Sequence, residues 1–150
     1  MTREQELSLR PATMADAPAV WAWRNDPDSR AASLNEREIP YPEHEAWFAA
    51  ALADPDRTLL IGVEPGGEAV GMVRFDCAAG DDTRVSINLA PQRRGQGLGT
   101  ALLRLAVATR ADERLRAEVR AANEASRRLF ERCGFACLGE SDGVVAFRQG

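Results

Sequence analysis

Lysine is missing from this chain: all 19 basic residues are arginine, a bias that a GC-rich genome accounts for. There is one histidine, one tyrosine and three cysteines. Cys77, Cys133 and Cys137 make no even set for a disulfide framework, and with a single histidine they make no zinc set, so no metal is expected. No apolar run approaches membrane-spanning length, and the first residues, MTREQELSLR, lack the apolar stretch of a signal peptide. A cytoplasmic protein with reduced thiols is therefore expected. An excess of positive charge is lacking too. The formal net charge is -4, which gives no general attraction to nucleic acid or to anionic membranes. Arg93-Arg94 and Arg127-Arg128 are local basic patches. No repeat, low-complexity segment or long linker interrupts the chain. What is present is a 45% hydrophobic chain of 150 residues, read as one domain spanning 1–150 and long enough to bury a core.

The periodicity alternates between strand and helix. Leu7 to Arg10 reads as a strand, and Thr13 to Asp16 as a helix start. That helix runs through Trp21 and Trp23 and stops near Asn25-Asp26-Pro27. A second helix follows Pro42, with Ala46, Trp47, Ala50 and Ala51 spaced for one face. Arg57 to Glu64, Ala69 to Ala78 and Arg84 to Leu89 read as strands, with turns at Pro65-Gly66-Gly67 and Gly80-Asp81-Asp82. A helix beginning near Gly97 carries Leu98, Ala101, Leu102, Leu105 and Ala106 on its apolar face. Leu115 to Arg120 is another strand. Asn123 caps a helix that Gly134 stops. Phe135 to Gly139 and Val144 to Arg148 are final strands around the turn Ser141-Asp142-Gly143. The order predicts an α+β layered domain with a mixed sheet. Val144 to Arg148 is read as an exposed edge, which leaves a monomer or a homodimer open.

Gln92-Arg93-Arg94-Gly95-Gln96-Gly97-Leu98-Gly99 lies between a strand and a helix. Glycines let the backbone turn tightly and approach a ligand. The first helical N–H groups have no partner within the helix, and the dipole favours an anion there. Arg93 and Arg94 add charge-assisted donors. No Gly-Lys-Ser/Thr follows, so this is no Walker loop, and the full dinucleotide spacing is lacking.

Gln92-x-x-Gly95-x-Gly97 resembles the acetyl-CoA motif of the GNAT superfamily of N-acetyltransferases. Asn123-x-x-Ser126-x-x-Leu129-Phe130-x-x-x-Gly134-Phe135 resembles that family's late helix and its Gly-Phe ending. The resemblance implies the acyl-CoA N-acyltransferase fold: a mixed central sheet flanked by helices, with a splayed strand pair. It also implies an acetyl-CoA-dependent enzyme that needs no metal. Val85 to Ala90 would pair with the pantetheine arm, and amides from Arg93 to Thr100, Leu98 and Gly99 included, would hold the pyrophosphate. Asn123 and Ser126 would reach the pantetheine or the thioester, with Asn123 serving equally as a helix cap.

Acetylation of an amine needs a neutral nucleophile, its placement at the thioester, donors for the oxyanion and a leaving thiolate. The resemblance implies an oxyanion donor from the backbone at a strand bulge, here near Leu89 or Ala90. The family's general acid is often a late-helix tyrosine. Phe130 stands at that position beside the cofactor and has no proton to give, but a thiol leaves without much help. Tyr41 is an alternative donor or an amphipathic surface residue. The strand Val85 to Leu89 carries no glutamate. Ser86 and Asn88 share one face of it and are candidates to hold a water that relays the proton.

Trp23-Arg24-Asn25, together with Glu43-His44-x-x-Trp47-Phe48, is similar to GNAT enzymes that acetylate the 4-amino group of nucleotide-linked amino sugars in pseudaminic and legionaminic acid synthesis. The Trp-Arg-Asn part also occurs in relatives that acetylate ribosomal-protein N-termini and aminoglycosides. Arg24 and Arg30 suit a diphosphate, or surface ion pairs. Asn25 and His44 suit hydroxyls, and Trp47 or Tyr41 suits a base or a sugar face. His44 is equally a packed residue beside Trp47. A non-catalytic acetyl-CoA-binding module, or a domain binding another phosphate ligand, is the reading from a different functional class.

Overall fold

The computed structural model describes residues 7–34, 36–77 and 82–149. The turn read at Gly80-Asp81 and the end of the strand at Ala78 lie outside them. The elements are β1 (Ser8–Pro11), α1 (Ala17–Asn25), α2 (Pro27–Ala32), α3 (Tyr41–Ala53), β2 (Arg57–Val63), β3 (Ala69–Asp76), β4 (Thr83–Leu89), α4 (Leu98–Ala108), β5 (Leu115–Arg120), α5 (Glu124–Arg132), β6 (Ala136–Ser141) and β7 (Val144–Gln149). Short 3-10 turns at Met14–Asp16 and Pro91–Arg93 precede α1 and the glycine turn.

Seven strands form one mixed sheet in the order β1-β2-β3-β4-β5-β7-β6. All neighbours are antiparallel except β4 and β5, which are parallel. The helices form layers on both faces, as the mixed-sheet reading expects. α4 and α5 cover one face around Leu98, Leu102, Leu103, Phe130 and Phe147. Burying each of those leucines contributes about 1.5–3 kcal/mol. α1 and α3 cover the other face around Val20, Trp23, Phe48, Ile61 and Met72.

Two sequence expectations are corrected. Val144 to Arg148 is not an edge, because β7 lies between β5 and β6. The edge on that side of the sheet is β6, exposed along its length. The buried stripe of α3 is His44, Phe48 and Ala51, while Ala46 and Ala50 face outward. The first helix stops at Asn25, as read, and a further short helix follows it. Asp26 accepts from the Ser29 amide at 3.1 Å and caps α2, with proline in the first turn where its missing N–H costs nothing.

Candidate functional site

β4 and β5 share only the register positions Thr83↔Leu115 and Arg84↔Arg116 and then part. Along β4 the backbone alternates its donors. The Thr83 amide turns to Arg114 O, on the β5 side, and the Ala90 amide turns to Val70 O, on the β3 side, each at 2.9 Å. By that alternation the amides of Ile87 and Leu89, beyond the last paired position, face the opening between the strands. Of the two backbone donors expected for an oxyanion, Ala90 is therefore occupied and Leu89 is aimed into the gap. No bulge sets this geometry, since the β3–β4 register runs unbroken from Gly71↔Leu89 to Asp76↔Arg84.

The glycine turn closes the wide end of the opening. The Arg93 and Arg94 amides bond back to Ala90 O and Pro91 O. Beyond them Gly97 caps α4 at φ 76°, a left-handed conformation in which a Cβ costs about 1–2 kcal/mol. The helical ladder starts with Ala101 N–H to Gly97 O at 3.3 Å. The amides of Leu98, Gly99 and Thr100 thus precede it and point out of the helix end. A Cβ on Gly99 would lie 2.8 Å from Leu129 Cδ1 and 3.1 Å from Leu89 Cδ1, so glycine lets α4 sit tight against α5 and the end of β4. Gln92 is exposed, and its carbonyl accepts from the Gln96 side chain at 3.2 Å. The two arginines have diverged. Arg93 turns to Glu64 and to Glu68, the latter at 2.6 Å. Arg94 meets Asp26 at 3.2 Å and Ser29, at the start of α2.

Asn123 caps α5 by accepting the Ser126 amide at 3.2 Å, and its Nδ2 reaches Ser126 Oγ at 3.0 Å. Phe130 is 3% exposed, edge-on to Phe135 and stacked on Phe147. The ring is packed into the core and has no hydroxyl to offer the opening.

Val85, Ile87 and Leu89 pack toward α4, so Ser86 and Asn88 face the α1/α3 layer, on one face as their spacing predicts. Of the acceptor candidates, Asn25 and His44 are structural. Asn25 donates Nδ2 to Ile39 O at 2.7 Å and accepts the Ile39 amide at 2.9 Å, which clamps the chain entering α3. His44 is fully buried. An arginine only donates, so Arg24 Nη1 at 2.9 Å makes Nδ1 the acceptor, and Nε2–H donates to Ala17 O at 3.0 Å. Burial and the Arg24 charge push the His44 pKa down, which favours the neutral ring, and both of its nitrogens are engaged within the protein. Arg30 Nε donates to Asn25 O at 3.2 Å. Tyr41 stands edge-on to Trp21 with centroids 5.2 Å apart, and burial and Glu45 raise its pKa. Arg24 Cζ lies 4.7 Å from the centroid of the Trp47 ring. Sequence reasoning missed Arg74, whose Cζ is 5.2 Å from the same centroid. It sits on β3 opposite Ser86, and its alternation with Met72 on the α1/α3 face was the signal available.

A family model for the acetyltransferase (GNAT) domain matches residues 6–136. The chain belongs to the GNAT family. As a GNAT protein it is an acetyl-CoA-dependent N-acetyltransferase. Solved structures agree on the fold. The spermidine N-acetyltransferase of Vibrio cholerae, in complex with CoA and spermine, superposes with a TM-score of 0.83 at 18% identity, over 96% of this chain and 94% of that one. A domain from Methanocaldococcus jannaschii does so at 0.85 and 18%, over 96% and 97%. The aminoglycoside acetyltransferase AAC(6')-Ib, in complex with coenzyme A and kanamycin, gives 0.78 and 21%, over 95% and 94%. No curated protein sequence matches this GNAT chain at a significant level. Among the described residues no helix is long and apolar enough to cross a membrane, and no group of side chains is built to hold a metal ion.

Proposed function

We propose that this acetyltransferase passes the acetyl group of acetyl-CoA directly to a primary amine bound on the α1/α3 face of β4, and that the acceptor is a nucleotide-linked amino sugar. The donor placement is carried by the opening between β4 and β5. The pantetheine arm lies along Val85 to Leu89. The amides from Gly95 to Thr100 hold the pyrophosphate, with Gln92, Gln96 and Arg94 at its rim. Asn123 and Ser126 flank the thioester end. Arg93 supports the site through the β2–β3 turn.

The neutral amine attacks the thioester carbonyl, a C–N bond forms, and the oxyanion is met by the Leu89 amide. The C–S bond then breaks and the thiolate leaves. The proton lost from nitrogen passes to a water held by Ser86 or Asn88 and on to bulk. The thiolate departs unassisted by Phe130. On the acceptor side, Trp47 and Tyr41 offer faces to a sugar or a base, and Arg24 and Arg30 supply positive charge for a diphosphate.

The test is thiol release from acetyl-CoA against a panel holding a nucleotide-linked amino sugar, a peptide beginning with alanine or serine, and an aminoglycoside. The sugar nucleotide is expected to turn over fastest. A peptide or aminoglycoside that is far faster ends the sugar reading, and a melting temperature unmoved by acetyl-CoA ends the donor placement.

A further inference from the structure

Arg24 is held in place by a neutral group. His44 is buried between it and Ala17 O, and it fixes the guanidinium against Trp47 without offering a charge. Among the described residues no carboxylate comes within ion-pair distance of Arg24. Glu43, which acts on Arg24 through space, is bonded to Arg37. A second guanidinium, Arg74, lies over the same ring. Its Nε is taken by Asp76 at 2.9 Å; Arg57 lies 3.6 Å from Asp76 and is paired with Asp54 at 3.5 Å, so the positive charge in excess around Trp47 is that of Arg24. Burial and then repulsion from Arg74 push the Arg24 pKa down. Two half-buried guanidinium groups on one aromatic ring with a single carboxylate between them are costly unless a second anion joins them.

The geometry points to an anion subsite made by Arg24 and Arg74 on Trp47, which selects acceptors carrying a phosphate or a carboxylate. Arg74 stands opposite Ser86, and Asn88 is the next residue on that face toward the opening. Two residues of strand span about 7 Å, which sets the anion roughly one sugar ring from an amine at Asn88. A polycationic acceptor is repelled by the same pair. The inference rests on the proposed position of the reacting amine, but it does not require that the acceptor be a sugar.

Thiol release is measured with the full chain, acetyl-CoA and matched amines: a free amino sugar, its 1-phosphate, its C6 carboxylate, an amino acid and spermidine. Anionic amines are expected to show KM lower by about ten- to hundredfold than the neutral sugar, the effect of one or two charge-assisted bonds. The phosphate and carboxylate arms decide which anion is read. Arg74→Gln is expected to erase that preference by raising KM for the anionic amines alone, with kcat kept, and Arg74→Lys to restore part of it. The unmutated protein supplies an independent measurement: inorganic phosphate should compete with the acceptor as well as with acetyl-CoA. Equal KM for charged and neutral amines, equal losses for both in Arg74→Gln, or phosphate competing with acetyl-CoA alone would overturn the subsite. Amino sugars used without regard to charge sink the subsite and keep the sugar reading. Anionic non-sugars used in place of every amino sugar do the reverse.

Discussion

His44 is the residue whose role changes most once its surroundings are known, and replacing it with leucine tests that role. Leucine fills similar space but abandons two hydrogen bonds. One is to the guanidinium of Arg24 at 2.9 Å, and bonds to charged groups carry about 1.5–3 kcal/mol. The other is to Ala17 O at 3.0 Å. As the first residue of α1, Ala17 keeps a helical partner for that carbonyl, so its loss adds little. His44→Leu should therefore destabilise the fold by about 2–3 kcal/mol, a fall in Tm of about 5–10 °C. The pH dependence has a definite sign. Burial and Arg24 depress the folded pKa of His44, while the unfolded value is near 6.5. Below about pH 6.5 the unfolded chain binds the proton more readily, so stability is full above that pH and declines as pH falls toward the folded pKa. His44→Leu should remove that part of the acid-side loss. Denaturant midpoints measured from pH 7.5 to 5 report both effects, and the pH profile of kcat/KM should keep its shape in the variant. Unchanged stability would refute the structural role, and a neutral-range ionisation that vanishes from the rate profile would place His44 in the reaction.

Gly97→Val should cost about 1–2 kcal/mol in stability for its left-handed backbone. It should weaken acetyl-CoA binding at least tenfold, because the new side chain projects where the pyrophosphate is placed. Since nothing in the free protein lies within 4 Å of that Cβ, an undiminished acetyl-CoA thermal shift in the folded variant would refute the placement. Gly99→Val should destabilise by about 1–3 kcal/mol through overpacking against Leu129 and Leu89, read by chemical denaturation; a neutral effect would mean that α4 shifts freely. Phe130→Tyr should leave kcat unchanged and lower stability by about 1–3 kcal/mol, because the hydroxyl enters a buried site between Phe135 and Phe147. A rise in kcat would show that position 130 reaches the thioester.

What could be read in advance was local. The Gly97 start of α4 and the Asn123 cap of α5 declare themselves because their cause lies within a few residues. α2 was declared too, by Asp26 as cap and Pro27 behind it, but the same pair reads equally as a stop. The sheet order was not legible, since nothing in Val144 to Gln149 says that β6 will fold back outside β7. The acceptor side was least legible, for the same physical reason. Asn25 finds its partners at Ile39 and His44 finds one at Ala17, so their polar groups are satisfied by chain that is distant in sequence. Arg74 was passed over because an arginine in a strand ordinarily points to water, and only the fold brings Trp47 across it.

The short parallel junction between β4 and β5 makes the sheet a seam between two stiffer plates, β1 to β4 on one side and β5 to β7 on the other. Solvent reaches the backbone along that seam first, so the amides of Ile87 and Leu89 should exchange with deuterium fastest among the strand interiors. A donor molecule lying in the gap would act as a missing strand and weld the plates together. The rigidity of the protein would then rise and fall with the supply of acetyl-CoA.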